Sequence, residues 1–509
     1  MSAASISTGA HAGASWYNRD VAAWMPSRGS ADADILPDLD TLVARSRDID
    51  RNNGVAKGGI QTIIDNVIGT GLRLQPRPDY EALGQDKAWS NAWSRKVRSL
   101  FQQYWWTTAC HAGDSLTGDQ LTTQTLRSQL LNGDALTLPL WLDRGDGFKT
   151  KLQTVEADRL SNPRFGMDSV TQRGGIALDT YGAPIAYSIR KTHPGDWLLG
   201  GQAGTFAQWE VIPRRTSFGR LRVIHTCSGQ TRGKPLLSAV LAQFKNVDRY
   251  SNAELQAAVL NAMIAGIIET PMDQESIVDL FNNDADAYQR ARKDQAVKFE
   301  AGSLMTLFPG DKMQPFIPQR PAAAFGNFIE NMFRIIAVGC DMPYELLLKD
   351  FSKTSYASAR SSMLEAWRSF HRRRDWMGTM WMDPIYALFL EEVVNDGRIE
   401  APGFYENRAA YQMCRWIGPG RGWIDPLKEA NAMEARINSN VSTLEIECAE
   451  QGYDWEDILE QRATEIARMK ELGIVEIVTG RATVVPQDAP GAVDSVGPVT
   501  TPVATDTPA

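Results

Sequence analysis

Cysteine is scarce in this chain of 509 residues: the five present, Cys110, Cys227, Cys340, Cys414 and Cys448, are odd in number, widely spaced and without a C-x-x-C pair. That pattern argues against a disulfide framework and against a cysteine-held zinc site. Histidine is as scarce, and His371 is the only one beyond residue 225. No run approaches the ~18 uninterrupted apolar residues of a membrane helix. The opening Met1-Ser-Ala-Ala-Ser-Ile-Ser7 has no basic stretch followed by an apolar core, so the expectation is a cytosolic, reduced protein. Positive charge does not dominate: 53 Lys and Arg face 61 Asp and Glu, a net charge of -8. Proteins that grip DNA through a broad basic surface do so by neutralising phosphates, which this balance disfavours. It leaves room for a protein that surrounds DNA without gripping it.

Reaction motifs are also missing. Gly229-Gln-Thr-Arg-Gly-Lys-Pro235 comes near a phosphate-cradling loop but is one residue short between its glycines, and Pro235 stands where a magnesium-holding Ser or Thr belongs. No other such loop exists, which argues against a built-in ATPase. Gly113-Asp-Ser-Leu116 copies an esterase signature, yet a nucleophilic serine needs a histidine base in reach, and His371 sits far along in a basic helical run. Acidic clusters such as Asp454, Glu456 and Asp457 lie at a helix start, where carboxylates cap. The alternative of a carboxylate-based nuclease or hydrolase therefore has little to stand on, and no catalytic residue, metal or cofactor is expected. No basic amphipathic segment suggests a membrane surface.

What is present is an ordinary globular composition, 43% apolar and 22% charged, on a chain long enough for two to four domains. Residues 1–30 are rich in Ala, Ser and Gly and read as poorly ordered, as do the Pro-, Thr- and Val-rich residues 481–509. Ile60, Ile63, Ile64 and Val67 mark one face of a helix. Lys87 to Trp106 carries an aromatic stripe at helical spacing, a core feature rather than a base-stacking platform. Residues 121–132 read as helix and Gly133 to Trp141 as strand. Short β runs follow at Lys151–Glu156, Gly174–Leu178, Ala186–Arg190 and Arg222–His225, predicting one small antiparallel sheet. From Pro235 an apolar face at Leu237, Val240, Leu241, Phe244, Val247, Leu255 and Val259 predicts a helix of roughly thirty residues, a rod of roughly 45 Å. The class is α+β.

The densest stretch runs from Arg320 to Asp396. Phe325, Phe328, Ile329, Met332, Phe333 and Ile336 recur at helical spacing, and Pro343 should stop that helix near Gly339 or Cys340. A loop follows, then a longer amphipathic helix from Tyr356 that should end near Asp383-Pro384. Arg360, Arg368, Arg372, Arg373 and Arg374 on this helix read as the only marked basic concentration in the chain, paired with carboxylates of the same or a neighbouring subunit in preference to facing DNA. Later, Trp416-Ile-Gly-Pro419, Ile424-Asp-Pro426 and Asp454-Trp-Glu-Asp457 punctuate a helical C-terminal region.

Arg334-Ile-Ile-Ala-Val-Gly-Cys-Asp-Met-Pro-Tyr-Glu-Leu-Leu347, Ser355-Tyr-Ala-Ser-Ala-Arg360 and Glu365-Ala-Trp-Arg-Ser-Phe370 resemble the portal proteins of lambda-type tailed bacteriophages. Arg51-Asn-Asn-Gly54, Val155-Glu-Ala-Asp-Arg-Leu-Ser-Asn-Pro163, His193-Pro-Gly-Asp196 and Trp416-Ile-Gly-Pro419 match the family pattern in order, so the resemblance covers residues 45–475; Ser355 stands where the family usually has Asn. It implies a portal fold: a wing over 31–232, a stem helix over 233–266, a clip over 267–318, a second stem helix over 319–340, a tunnel loop over 341–356, a long wing helix over 357–397 and a helical crown over 398–480. It also implies a ring, a dodecamer, at one capsid vertex, through which double-stranded DNA is packaged and ejected. The partners implied are terminase, head-completion and tail proteins, the major capsid protein and scaffold, with no membrane. The place implied is the virion, and the host cytoplasm during assembly. Lys349, Ser352, Lys353 and Thr354 would form the loop facing DNA, with Arg360, Arg368, Arg372 and Arg373 as an intersubunit or DNA-facing basic side.

Overall fold

The computed structural model describes residues 11–15, 18–26, 28–196, 208–227, 231–263, 266–269, 312–315, 325–420 and 426–472. Most of the expected clip, the start of the helix at Arg320 and the tail at 481–509 lie outside the described residues. After α1 (Ala31–Ile35), two helices, α2 (Leu39–Asn52) and α3 (Gly54–Val67), meet at Asn53. Its extended backbone breaks the helix, and its side-chain oxygen accepts the Val55 and Ala56 amides, which restarts it. The predicted face of α3 is buried through Ile60, Ile63, Ile64 and Val67. Strand β1 (Arg73–Pro76) follows, and α4 (Lys87–Trp105) carries the aromatic stripe inward. Phe101 stacks on Trp105 at 5.2 Å and meets Phe389 edge-on at 5.2 Å, while Trp106 stays outside.

Helix α5 (Gly118–Asn132) opens on a capping box between Thr117 and Gln120 and closes at Gly133, φ +90°. An added Cβ on Gly233 would fall on the Gly133 carbonyl, so the two glycines allow two backbones to touch. Strands β2 (Asp134–Trp141) and β3 (Thr150–Val155), then β4 (Gln172–Arg173), β5 (Ile176–Leu178), β6 (Pro184–Arg190), β7 (Trp209–Pro213) and β8 (Ile224–Cys227) form two antiparallel sheets, ordered β3-β2-β8 and β4-β5-β6-β7. The expectation of one sheet is corrected here. Pro163, and Arg164 and Phe165 at positive φ, break the ladder between β3 and β4. The sheets share an apolar cluster instead, with Leu136, Leu138 and Val155 against Ile176, Tyr187, Ile189 and Ile212.

The helix expected from Pro235 is shorter than predicted. A 3-10 turn, Leu236–Ala239, comes first, and Val240 is non-helical, so α6 spans Leu241–Met263, about 34 Å. After the antiparallel pair β9 (Gly266–Glu269) and β10 (Lys312–Pro315), α7 (Phe325–Gly339) returns along α6. Tyr250 meets Phe325 and Phe328, and Gly339 leaves the space that Val240 fills. The short α8 (Tyr344–Leu348) packs on α3 through Leu347, and α9 (Tyr356–Met377) follows.

Asp383-Pro384 does not end the long helix. A π turn, Gly378–Met382, links α9 to α10 (Asp383–Asn395), and the Asp383 amide reaches back five residues to the Gly378 carbonyl. The widened turn tolerates the donor that Pro384 lacks. Beyond it come α11 (Arg408–Tyr411), β11 (Cys414–Ile417), α12 (Pro426–Asn438), α13 (Leu444–Glu450) and α14 (Trp455–Glu471). Strand β11 pairs with β1, and Arg98 of α4 holds Asp454, the cap of α14, so segments more than 300 residues apart pack together.

Arg374 fixes the crossing. Buried on α9, it donates to the carbonyls of Val67 and Asn66 on α3 and to that of Pro419 beyond β11. Replacing it by Met keeps the apolar stem and strands three carbonyls; urea melts should show a loss on the order of 3 kcal/mol, whereas Arg360→Met on the exposed side of the same helix should stay within about 0.5 kcal/mol.

Candidate functional site

The segment between α8 and α9 is built from turns that its own sequence dictates. Lys349 takes a left-handed conformation, φ +57°, and caps α8 with its amide on the Glu345 carbonyl. Asp350 accepts the Ser352 amide at 3.0 Å, Thr354 turns back onto the Phe351 carbonyl, and Ser355 caps α9 by accepting the Ser358 amide. The loop is therefore a chain of side-chain-braced turns rather than a slack connection. Lys349, Ser352 and Lys353 are exposed and Thr354 is half-buried.

The two lysines differ in their partners. Lys353 reaches Glu330 on α7 at 3.0 Å, and this hydrogen bond raises its pKa. Glu330 also holds Arg334 at 2.7 Å, and Arg334 lies over the Tyr344 ring. Lys349 has no carboxylate within ion-pair distance among the described residues, so its ammonium is the loop's cation left to solvent, beside the equally exposed Asp350. Leu347 anchors the segment below, while Phe351 remains exposed.

The basic series on α9 separates into different roles. Arg360 is exposed, and Arg368 pairs with Glu365 on the surface at 3.0 Å. Arg373 binds Asp341 at 2.9 Å, while Arg372 lies 3.9 Å from the same carboxylate with most of its side chain in solvent. Arg374 is a core staple and presents no charge outward. Between the α7–α8 turn and α9 runs an open groove of about 580 Å³ flanked by Val338, Asp341, Glu365, Arg368 and Arg372.

Two stretches singled out by motif have structural roles. In Gly113-Asp-Ser-Leu116, Ser115 Oγ lies 3.3 Å from His111 Nδ1, so a histidine four residues upstream, not His371, is the one in reach. The same nitrogen also accepts the Ser115 amide, which makes the pair a turn brace, and Asp114 is engaged by Thr108. Arg232, from the segment that failed as a phosphate loop, is buried and donates to the carbonyls of Leu160, Gly174 and Ala157 and to Asp134. His225 joins Asp134 from β8 at 3.4 Å. This buried Arg232–Asp134–His225 group was missed by the sequence reading; its one signal is a lone Asp at the start of the otherwise uncharged strand 134–141. The thiols of Cys110 and Cys340 are pushed up to about 12 by burial. Among the described residues no His, Cys, Asp and Glu cluster is placed to hold a metal, and no helix is long and apolar enough to cross a membrane.

The chain matches the family model described as phage portal protein, lambda family, over residues 17–374. Portal protein B of Escherichia phage lambda is 29% identical over 490 residues, covering 92% of this chain and 91% of that protein. The portal protein of Escherichia phage N15 is 30% identical over 491 residues, with 92% and 91% covered. Among solved structures, the neck of a native gene transfer agent particle computed with C12 symmetry aligns at 14% identity and a TM-score of 0.45, covering 82% of this chain and 93% of that one.

The buried group gives a pH signature. Burial alone would lower the pKa of His225, but hydrogen bonds to Asp134 and Cys227 outweigh it and raise it to about 9. Burial works the other way on Asp134, which Arg232 and His225 nevertheless hold down at about 2. The Asp134 contribution is present above its ordinary 3.8 and lost as pH falls through about 2; the His225 contribution is present below its ordinary 6.5 and lost as pH rises through about 9. Thermal melts should therefore plateau between those ordinary values and decline towards pH 9, and His225→Gln should flatten the alkaline decline.

Proposed function

Because the chain belongs to the lambda family of phage portal proteins, we propose that it closes into a ring, a dodecamer, at one vertex of the capsid, with double-stranded DNA passing along its axis. It is a virion structural protein serving DNA packaging. In our reading the wing is 31–232, the paired stem helices are 233–266 and 319–340, the clip is 267–318, the tunnel loop is 341–356, the long wing helix is 357–397 and the crown is 398–480. Terminase and the head-completion proteins would dock at the clip, the capsid and scaffold proteins would hold the ring in the shell, and assembly would take place in the host cytoplasm.

The observation that carries the ring is the uncovered apolar side of α6 and α7. Leu255, Val259, Ile335 and Val338 are all exposed, the last at 77%, while the two helices meet through Tyr250, Phe325 and Phe328. Among the described residues nothing covers that stripe, and a second copy would. Contacts between different surfaces of successive copies generate a closed ring when the rotation closes. The acidic balance suits a conduit, since a weakly attractive wall does not trap the duplex. A few lysines at the narrowest point can steady phosphates without reading bases.

Two measurements bear on this reading. Mass determination across protein and salt concentrations should show a closed oligomer, and Arg372→Gln with Arg373→Gln should weaken assembly, because both guanidiniums lie at the Asp341 turn beside the exposed Val338. Monomer at every concentration, with or without scaffold, would count against the ring. Lys349→Glu should leave the ring intact and lower packaged DNA length or retention. Since Lys353 is already tied to Glu330, Lys353→Gln should have the smaller effect.

A further inference from the structure

Residues Arg214-Arg-Thr-Ser-Phe-Gly-Arg-Leu-Arg222 hold four arginines and no carboxylate. The series on α9 is thus not the only basic concentration. Here Thr216–Gly219 splits the arginines into two pairs along the chain, and folding brings the pairs together. The segment is a tight hairpin that prolongs β7. The Arg222 amide donates to the Arg214 carbonyl at 2.9 Å, the Thr216 amide donates to Arg220 at 2.8 Å, and Arg215 bridges Leu221. Gly219, φ +88°, makes the turn, and Phe218 stands at its apex with 74% of its surface exposed.

This register has an electrostatic consequence. Arg214 lies opposite Arg222 and Thr216 opposite Arg220, so three arginines share one face of the ribbon. Like charges directly across a strand pair cost stability. Among the described residues no carboxylate relieves them: none of the four guanidiniums has an acidic partner, and the acids of the neighbouring turn are engaged, Asp143 with the Gly145 amide and Asp146 with Lys151. Arg220 is held in place by Thr150 Oγ1 at 3.1 Å and lies 4.6 Å from the centre of the Trp141 ring, which Lys149 approaches from just before β3. Trp141 is itself half exposed. The result is a cationic, aromatic-flanked edge on a protein whose net charge is negative.

We propose that this hairpin binds the phosphate backbone of duplex DNA from outside any channel. Guanidinium forks match phosphate oxygens, and a row of them releases counterions on binding without reading sequence. An acidic peptide would want an apolar recess beside the cations, whereas Phe218 projects from the apex.

Covalently closed circular duplex is the probe, because a circle cannot thread a closed ring. The assembled full-length protein should retain the circle at low salt. Arg214→Gln with Arg222→Gln should weaken that retention about tenfold and flatten the log–log salt slope by about two. The same pair changed to Lys should restore most of the binding, and the Gln pair should melt no lower than the parent, since a repulsion has been removed. Lys349→Glu should leave circle binding unchanged, so that failure here and failure of the channel reading are separable. Undiminished circle binding by the Gln pair overturns the proposal, as does a preference for poly-glutamate over the circle, which would assign the face to an acidic protein.

Discussion

One guanidinium decides how the halves of the chain meet. Arg374 is buried where α3, α9 and the segment after β11 converge, and it answers a carbonyl from each side of the junction. Desolvation pulls its pKa down to about 10, yet an arginine remains charged at any ordinary pH, so the charge must be met by hydrogen bonds. The backbone around it has made room. An added Cβ on Gly418 would collide with the guanidinium itself, and Trp367 closes the remaining side. Loop, long helix and C-terminal helices take their relative angle from this contact.

Arg232 repeats the device in the two-sheet region, where three carbonyls and Asp134 surround it. Both arginines carry several bonds in a fixed planar fork, which a lysine could not reproduce. Arg98 does related work in a largely buried pair, holding the capping Asp454 of a helix more than 350 residues away. The fold thus joins distant segments through directed polar contacts at its seams, with apolar clusters filling the layers between them.

Much of this was legible in the residues. The apolar face of α3, the stop at Gly339, the cap at Asp454 and the inward aromatics of α4 followed from spacing and end signals, because those depend on neighbours in sequence. The failures share a cause in long-range context. Pro384 reads as a terminator unless a π turn precedes it, and that turn packs Gly378 beside Trp416, which lies well downstream. The strands read as one sheet because nothing local shows that Pro163 divides them. At the candidate loop, sequence identified the exposed polar residues, while the pairing of Lys353 with Glu330 and the isolation of Lys349 needed the return of α7 alongside. The basic series on α9 looked uniform because one-dimensional spacing cannot tell Arg374, facing inward, from Arg372, facing out.

The pairing of β1 with β11 sets a schedule for biosynthesis. Strand β1 leaves the ribosome early, but its partner emerges about 340 residues later. At ordinary elongation rates of about 5–20 residues per second, that interval is about 17–70 s. Throughout it, Leu74 and its flanking amides are unpaired and face extended segments of other chains, including a sister chain on the same messenger. Arg73 and the closing Pro76 make that edge short and poorly adhesive. The two residues that shorten the nascent edge keep a second use in the finished fold, where Arg73 stands opposite Ile417 and Pro76 opposite Cys414 at the two ends of the ladder.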